Sequence, residues 1–167
     1  GNLRARHGDW ALVTGASSGI GLEFARALAR DHVNLVLTAR REDRLQELAS
    51  ELEADRGIQT RVVAGDLSRE GAADDLADAV RDLQISILIN NAGFGMYGAM
   101  EDTTLDDARY QFEVNLFGLA RLTQLALPYM REQGAGKIVN ISSMGGKIYT
   151  PLGSWYHATK HALEGWS

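Results

Sequence analysis

Five short apolar runs, rich in Val, Ile and Leu, recur along the chain, and the stretches between them have helical rather than alternating spacing. They cover residues 10–14, 33–38, 60–64, 85–89 and 137–141. Runs this short and this apolar read as strands buried on both faces, which requires helices above and below the sheet. The intervening segments supply them. Residues 20–29 carry Leu22, Ala25, Leu28 and Ala29 at helical spacing, and residues 41–56 place Leu45, Leu48 and Leu52 on one side before Gly57 as a stop. Ser68 is a candidate cap for a helix over 69–82. Thr104 opens a long helix to about residue 131, with Pro128 placed to bend or finish it, and a last helix starts near Ser154. Strand and helix in alternation, joined by right-handed crossovers, predict an α/β doubly wound parallel sheet of Rossmann-like type. No repeat, low-complexity tract or linker divides the chain, so residues 1–167 are expected to form one domain.

Composition narrows the function classes. The chain has no cysteine, which excludes disulfides, thiolate metal sites and cysteine nucleophiles. Its net charge of −5 argues against a nucleic-acid partner. No apolar run approaches the ~20 residues of a membrane span, and residues 1–8 lack the apolar core of a signal peptide. The expectation is a cytoplasmic protein with no membrane partner. Glycine is in excess, at 18 residues, and its positions carry the next step.

The segment Thr14-Gly15-Ala16-Ser17-Ser18-Gly19-Ile20-Gly21 follows the first strand and opens the first helix. Glycines there allow a tight turn and let a pyrophosphate approach backbone N–H groups at a helix N-terminus. The spacing Gly-x3-Gly-x-Gly is looser than the usual dinucleotide fingerprint, so position after strand one carries the argument. Dinucleotide folds place a ribose-reading residue roughly 20 positions downstream, Asp or Glu for a 2′-hydroxyl and Arg for a 2′-phosphate. Arg40 lies 19 residues after Gly21, with Arg41 beside it. Two guanidinium groups at the strand tip favour NADP(H), since guanidinium bonds phosphate in a bidentate, charge-assisted way. Glu42 and Asp43 keep NAD(H) open, and the arginines can also be read as solvated charges at a helix start.

Tyr156 and Lys160 are four residues apart, so a helix puts both on one side. An ammonium near a phenol favours the phenolate, and such a tyrosine can give a proton to, or take one from, an alcohol or carbonyl oxygen. Ser143, 13 residues earlier and just past the fifth strand, can hold that oxygen; Ser142 is the competing hydroxyl. His157 and His161 share a helix face at a spacing that suits a metal, but that helix already carries Tyr156 and Lys160, and no metal site is expected. Met96, Tyr97, Met100, Met144, Tyr149 and Trp155 either line an apolar substrate pocket or pack the loops.

In this order, the glycine turn, Gly65-Asp66-Leu67, Asn90-Asn91-Ala92-Gly93, Asn115, Ile141-Ser142-Ser143 and Tyr156-His157-Ala158-Thr159-Lys160 resemble the short-chain dehydrogenases/reductases in their compact single-domain branch. The resemblance implies a cofactor site of Gly15, Ser17, Ser18, Gly19, Ile20 and Gly21, with Arg40 and Arg41. Asp66 and Leu67 would meet the adenine, and Asn90, Asn91, Ala92 and Gly93 would lie beside the ribose. It implies a catalytic set in which Asn115 supports a proton-relay water and Ser143 orients the substrate oxygen. Tyr156 would exchange the proton, and Lys160 would bind the nicotinamide ribose. Ser143 is preferred over Ser142 because the 13-residue gap matches the family pattern. Taken singly, Asp66 also reads as a helix-entry residue and Asn115 as a buried amide.

Members of that family are longer, and this chain stops 7 residues after Lys160. The expectation is a domain missing its C-terminal part, whose fifth strand becomes an unpaired edge. The expected function is NADP(H)-dependent hydride transfer to or from a small-molecule carbonyl or secondary alcohol, in a homo-dimer or homo-tetramer. The alternative is a catalytically silent dinucleotide-binding protein or an inactive fragment.

Overall fold

The computed structural model describes residues 2–167. Five strands form one parallel sheet: β1 (Trp10–Thr14), β2 (Asn34–Ala39), β3 (Thr60–Ala64), β4 (Ile85–Asn90) and β5 (Lys137–Asn140). Their spatial order is β3-β2-β1-β4-β5, so the winding reverses between β1 and β4. In open α/β sheets a ligand crevice forms outside the carboxyl ends of the strands at that reversal. The registers bring those ends level, pairing Thr14 with Thr38 and Asn90 with Asn140.

Helices cover both faces. Helices α2 (Gly19–Arg30) and α3 (Glu42–Arg56) bury Ala25, Leu28, Leu45, Leu48 and Leu52 against Val13, Leu35 and Leu37. On the other face α4 (Ala72–Ala79) and α6 (Gly118–Glu132) bury Leu76 and Leu122 against Leu12, Val36 and Leu88. Each fully buried side chain of this size stabilises the fold by roughly 1.5–3 kcal/mol. The central strands are therefore the rigid base on which the loops at the sheet's carboxyl edge sit.

Four local features depart from the sequence expectations. A short helix, α1 (Leu3–His7), precedes β1, capped by the Asn2 side chain, which accepts from Arg4 N–H at 2.9 Å. The carboxylate of Asp31 accepts from Leu3 N–H at 3.1 Å and ties α1 to the turn after α2. The helix expected over 69–82 is shorter. Ser68 does not cap it; its hydroxyl donates to Asp66 Oδ1 at 2.7 Å, and α4 starts after Gly71, whose φ of +79° cannot continue a helix. The long helix is three segments in line: α5 (Leu105–Phe112), a π turn over Glu113–Phe117, and α6. Thr104 caps α5 in a reciprocal box with Asp107. Pro128 lies inside α6, and the helix runs on to Glu132, because only one amide bond is lost there.

The last helix, α7 (Ser154–Trp166), packs on the short 3₁₀ turn Met144–Gly146 and on α5. Strand β5 pairs with β4 alone and stays half-exposed. Among the described residues no helix is long and apolar enough to cross a membrane.

Candidate functional site

The turn after β1 is built by glycine geometry. Gly15 takes φ +62°, which a side chain would strain, and its carbonyl oxygen occupies the space where a Cβ on Gly21 would sit. The first turn of α2 therefore lies directly on the β1 turn. Ser18 is the N-cap of α2 but its side chain caps no amide, so the N–H groups of that turn keep hydrogen-bonding capacity toward whatever lies in front of them.

In front of them lies a cleft of about 390 Å³ at the carboxyl edge of β1 and β2. Gly15, Ser17, Ser18, Gly19 and Ile20 form one wall, Arg40 and Arg41 the end, and Asp66, Leu67, Asn91, Ala92 and Gly93 the facing wall. Phe94, Tyr110 and Val114 complete it. Tyr110 packs against the Phe94 ring at 5.1 Å and its hydroxyl accepts from Arg40 Nη1 at 3.5 Å. Asp66 uses Oδ1 to accept the N–H and the hydroxyl of Ser68, which fixes the turn after β3. Four residues expected from the sequence to meet the cofactor do not line the cleft: Gly21, Asn90, Tyr156 and Lys160. Gly21 lies behind the turn, and Asn90 is buried, donating from Nδ2 to Thr123 Oγ1 and Asn140 Oδ1 at 2.9 Å each.

Thr14 knots the strand ends together. Its hydroxyl donates to the Ile89 carbonyl and accepts the N–H groups of Asn91 and Ala92, both at 2.9 Å. Asn91 Nδ2 in turn donates to Gly15 O at 3.2 Å. The two walls of the cleft are thus bonded to each other at their base.

Beside this cleft the side chains of α5, the π turn and α7 converge on the loop after β4. Asn115, fully buried in the π turn, accepts Phe94 N–H at 3.0 Å and donates to Phe94 O at 2.8 Å and Thr159 Oγ1 at 3.0 Å. Gln111, one turn earlier, accepts Met96 N–H at 3.2 Å. Two carboxamides on one helix face thereby hold residues 94–96 in place. That loop flanks Tyr156: a Cβ on Gly95 would come within 3.0 Å of ring atom Cδ2. On the opposite ring edge a Cβ on Gly145 would come within 3.0 Å of Cε1. The phenol is held between two glycine backbones.

Lys160 is buried one turn further along α7. Its Nζ lies 6.0 Å from the centre of the Tyr156 ring and donates to the Ile141 carbonyl at 3.3 Å. A Cβ on Gly93 would meet both Lys160 Nζ and Asn115 Oδ1, so a cofactor-wall glycine touches the second cluster directly. Burial pushes the Lys160 ammonium below the ordinary lysine range. Ser143 Oγ accepts Gly145 N–H at 3.0 Å, which leaves its own hydrogen free to donate elsewhere. Ser142 Oγ is buried next to Gly146.

Around this cluster Tyr97, Met100, Met144, Tyr149 and Leu152 are exposed, Met144 and Tyr149 to 77% and 80%. Tyr97 still packs on the Tyr156 ring and the Gly153 backbone, and Tyr149 stacks on His161. Trp155 packs edge-on against Phe112, joining α7 to α5. Among the described residues no group of three or more His, Cys, Asp or Glu side chains gathers as metal ligands.

Sequence reasoning passed over Thr14, Phe94, Tyr110, Val114, Gln111 and Thr159. The one available signal was Gln111, four residues before Asn115 on the same helix face. Thr14, Tyr110 and Thr159 contribute through contacts across 40 or more residues, and Phe94 through Asn115, 21 residues on.

Residues 9–167 match the family model described as short chain dehydrogenase. A very-long-chain 3-oxoacyl-CoA reductase of Aspergillus clavatus is 39% identical over 164 residues, covering 96% of this chain and 48% of the relative. A solved structure of a 7β-hydroxysteroid dehydrogenase superposes with a TM-score of 0.93 at 30% identity, covering 98% of this chain and 63% of that one. A short-chain dehydrogenase from Sphingobium yanoikuyae in complex with NADPH superposes with a TM-score of 0.87 at 36% identity, covering 92% and 60%. The chain spans about half the length of the curated relatives it matches.

Proposed function

The chain belongs to the short-chain dehydrogenase family, and from that premise we propose that the full-length protein is an NADP(H)-dependent oxidoreductase acting on a carbonyl or secondary alcohol. The observation that carries this reading is the placement of Tyr156 and Lys160 on one face of α7, with Gly93 linking them to the cleft wall.

The cleft suits a dinucleotide phosphate. The uncapped first turn of α2 offers backbone N–H donors and a positive helix end to a pyrophosphate. Arg40 and Arg41 line the cleft where a 2′-phosphate on the adenosine ribose would lie, with Asp66 the one carboxylate lining the same cleft. The bound nicotinamide would supply or accept the hydride. Asp66 and Leu67 would bound the adenine end, and Asn91, Ala92 and Gly93 would flank the ribose next to Lys160.

The remaining chemistry falls to this chain. Tyr156 Oη gives a proton to the oxygen in reduction and takes one in oxidation. Ser143, already accepting from Gly145, donates its free hydrogen to the same oxygen. Lys160 places positive charge near the phenol and reaches the ribose. Asn115 holds residue 94 so that the loop behind the Tyr156 ring keeps its position, and it supports a relay water. The exposed rim of Tyr97, Met100, Met144 and Tyr149 suits a substrate with apolar substituents. Exposed faces of α6 and of α7 would pair subunits into a homo-dimer or homo-tetramer in the cytoplasm.

The test follows NADPH absorbance on the full-length protein with a panel of apolar ketones and aldehydes. Turnover with at least one, and weaker use of NADH, is expected. Tight NADPH binding with no turnover on any carbonyl or alcohol would leave only a dinucleotide-binding protein.

A further inference from the structure

His157 follows the proposed proton donor directly, and the proposed reaction gives it no role. Its imidazole is nevertheless among the most constrained side chains in the protein. It is 5% exposed. Nδ1 lies 2.9 Å from the Gly145 carbonyl, and Nε2 lies 3.0 Å from Thr150 N and 2.8 Å from Thr150 Oγ1. The rings of Tyr97, Tyr149 and Tyr156 surround it at 5.9–6.5 Å. The backbone has made room for it: a Cβ on Gly145 would meet Nδ1 at 3.0 Å, and one on Gly153 would meet Nε2 at 2.9 Å.

These contacts fix the proton. A carbonyl oxygen only accepts, so Nδ1 carries the hydrogen; a backbone N–H only donates, so Nε2 carries the lone pair. The two bonds together select one tautomer. The imidazole bonds at one end to the 3₁₀ turn and at the other to the loop that follows it.

The bond to Gly145 reaches the reaction site. The same residue that accepts from His157 through its carbonyl gives its N–H to Ser143 Oγ. The geometry points to His157 as a positioning residue: through Gly145 it fixes the amide that occupies a Ser143 lone pair and so aims the Ser143 hydrogen at the substrate oxygen beside Tyr156. This inference rests on the functional reading above for the identity of that oxygen. The clamp itself does not depend on it.

Three variants separate the two ends of the imidazole. Asn at 157 carries an Nδ2 donor where Nδ1 stands, Gln carries an Oε1 acceptor near the place of Nε2, and Leu carries neither. In the full-length protein, His157→Leu and His157→Gln are expected to lower kcat about tenfold or more, with kcat/KM falling in step and the NADPH Kd within about twofold. His157→Asn is expected to restore kcat to within about threefold of the parent, since it keeps the donation to Gly145. A ¹⁵N spectrum of the parent at neutral pH should show hydrogen on Nδ1 and none on Nε2. Equal kcat for Asn and Gln variants, losses that only track a falling Tm, or an Nε2–H tautomer would each overturn the assignment. If the parent turns over no carbonyl at all, the functional reading fails instead, and the tautomer measurement still decides whether the clamp exists.

Discussion

The two halves of the site are held by different means. The nucleotide half rests on β1 and β2, whose side chains are almost wholly buried, and its walls are set by backbone: Gly15 at positive φ, Gly21 against the Gly15 carbonyl, and an uncapped helix start. The proton-transfer half rests on the half-exposed β5 and is set by side chains. Asn115, Gln111, Thr159, Lys160 and His157 each bond to loop backbone or to one another. Backbone-built walls recognise a feature common to all dinucleotides. Side-chain-built walls adjust an angle or a proton, and their surrounding loops are left exposed to meet different substrates.

That contrast is broken most severely by a methyl group in the first half. Gly21→Ala would push the α2 start off the Gly15 carbonyl, at a cost of about 3 kcal/mol and most of the nucleotide affinity. Chemical denaturation with NADPH titration checks it. In the second half, Asn115→Ala leaves the part-buried Phe94 N–H and C=O without their partner, and about 1–2 kcal/mol of stability should go with them. Turnover should fall further than NADPH binding, which a paired kcat and Kd measurement would show.

Lys160→Met sharpens the comparison by separating stability from chemistry. The Lys160 pKa is depressed by burial, so the folded state binds its proton more weakly than the unfolded chain does. Lys160 therefore costs stability at pH values below its folded pKa, and the cost fades as pH rises toward the unfolded value near ~10.4. The variant should lose turnover yet melt no lower than the parent at neutral pH, with any gain in Tm shrinking as the pH is raised. Arg40→Ala carries the smallest effect. It should weaken NADPH by about tenfold while leaving NADH nearly unchanged. Equal weakening of both would remove the 2′-phosphate assignment.

How much of this was legible in the sequence follows the same division. The sheet and the glycine turn were readable because buried parallel strands and tight turns leave local patterns, such as residues 33–38 and 14–21. The π turn at Glu113–Phe117 was not, because its apolar spacing matches that of an ordinary helix. Helix α4 was overextended because the turn that delays it is set by Asp66 accepting from Ser68, and Ser68 in isolation reads as a cap. The tie of Gln111 to Met96 and the two-ended clamp at His157 depend on loops that only the fold brings near. Side-chain walls are written in tertiary contacts.

The most direct test of the central claim is to replace Tyr156 by Phe in the full-length protein and measure NADPH-dependent turnover and NADPH affinity on one sample. Loss of about 10²–10⁴-fold in turnover with affinity within about twofold of the parent is the predicted result. Turnover within a few-fold of the parent would show that Tyr156 does not carry the proton.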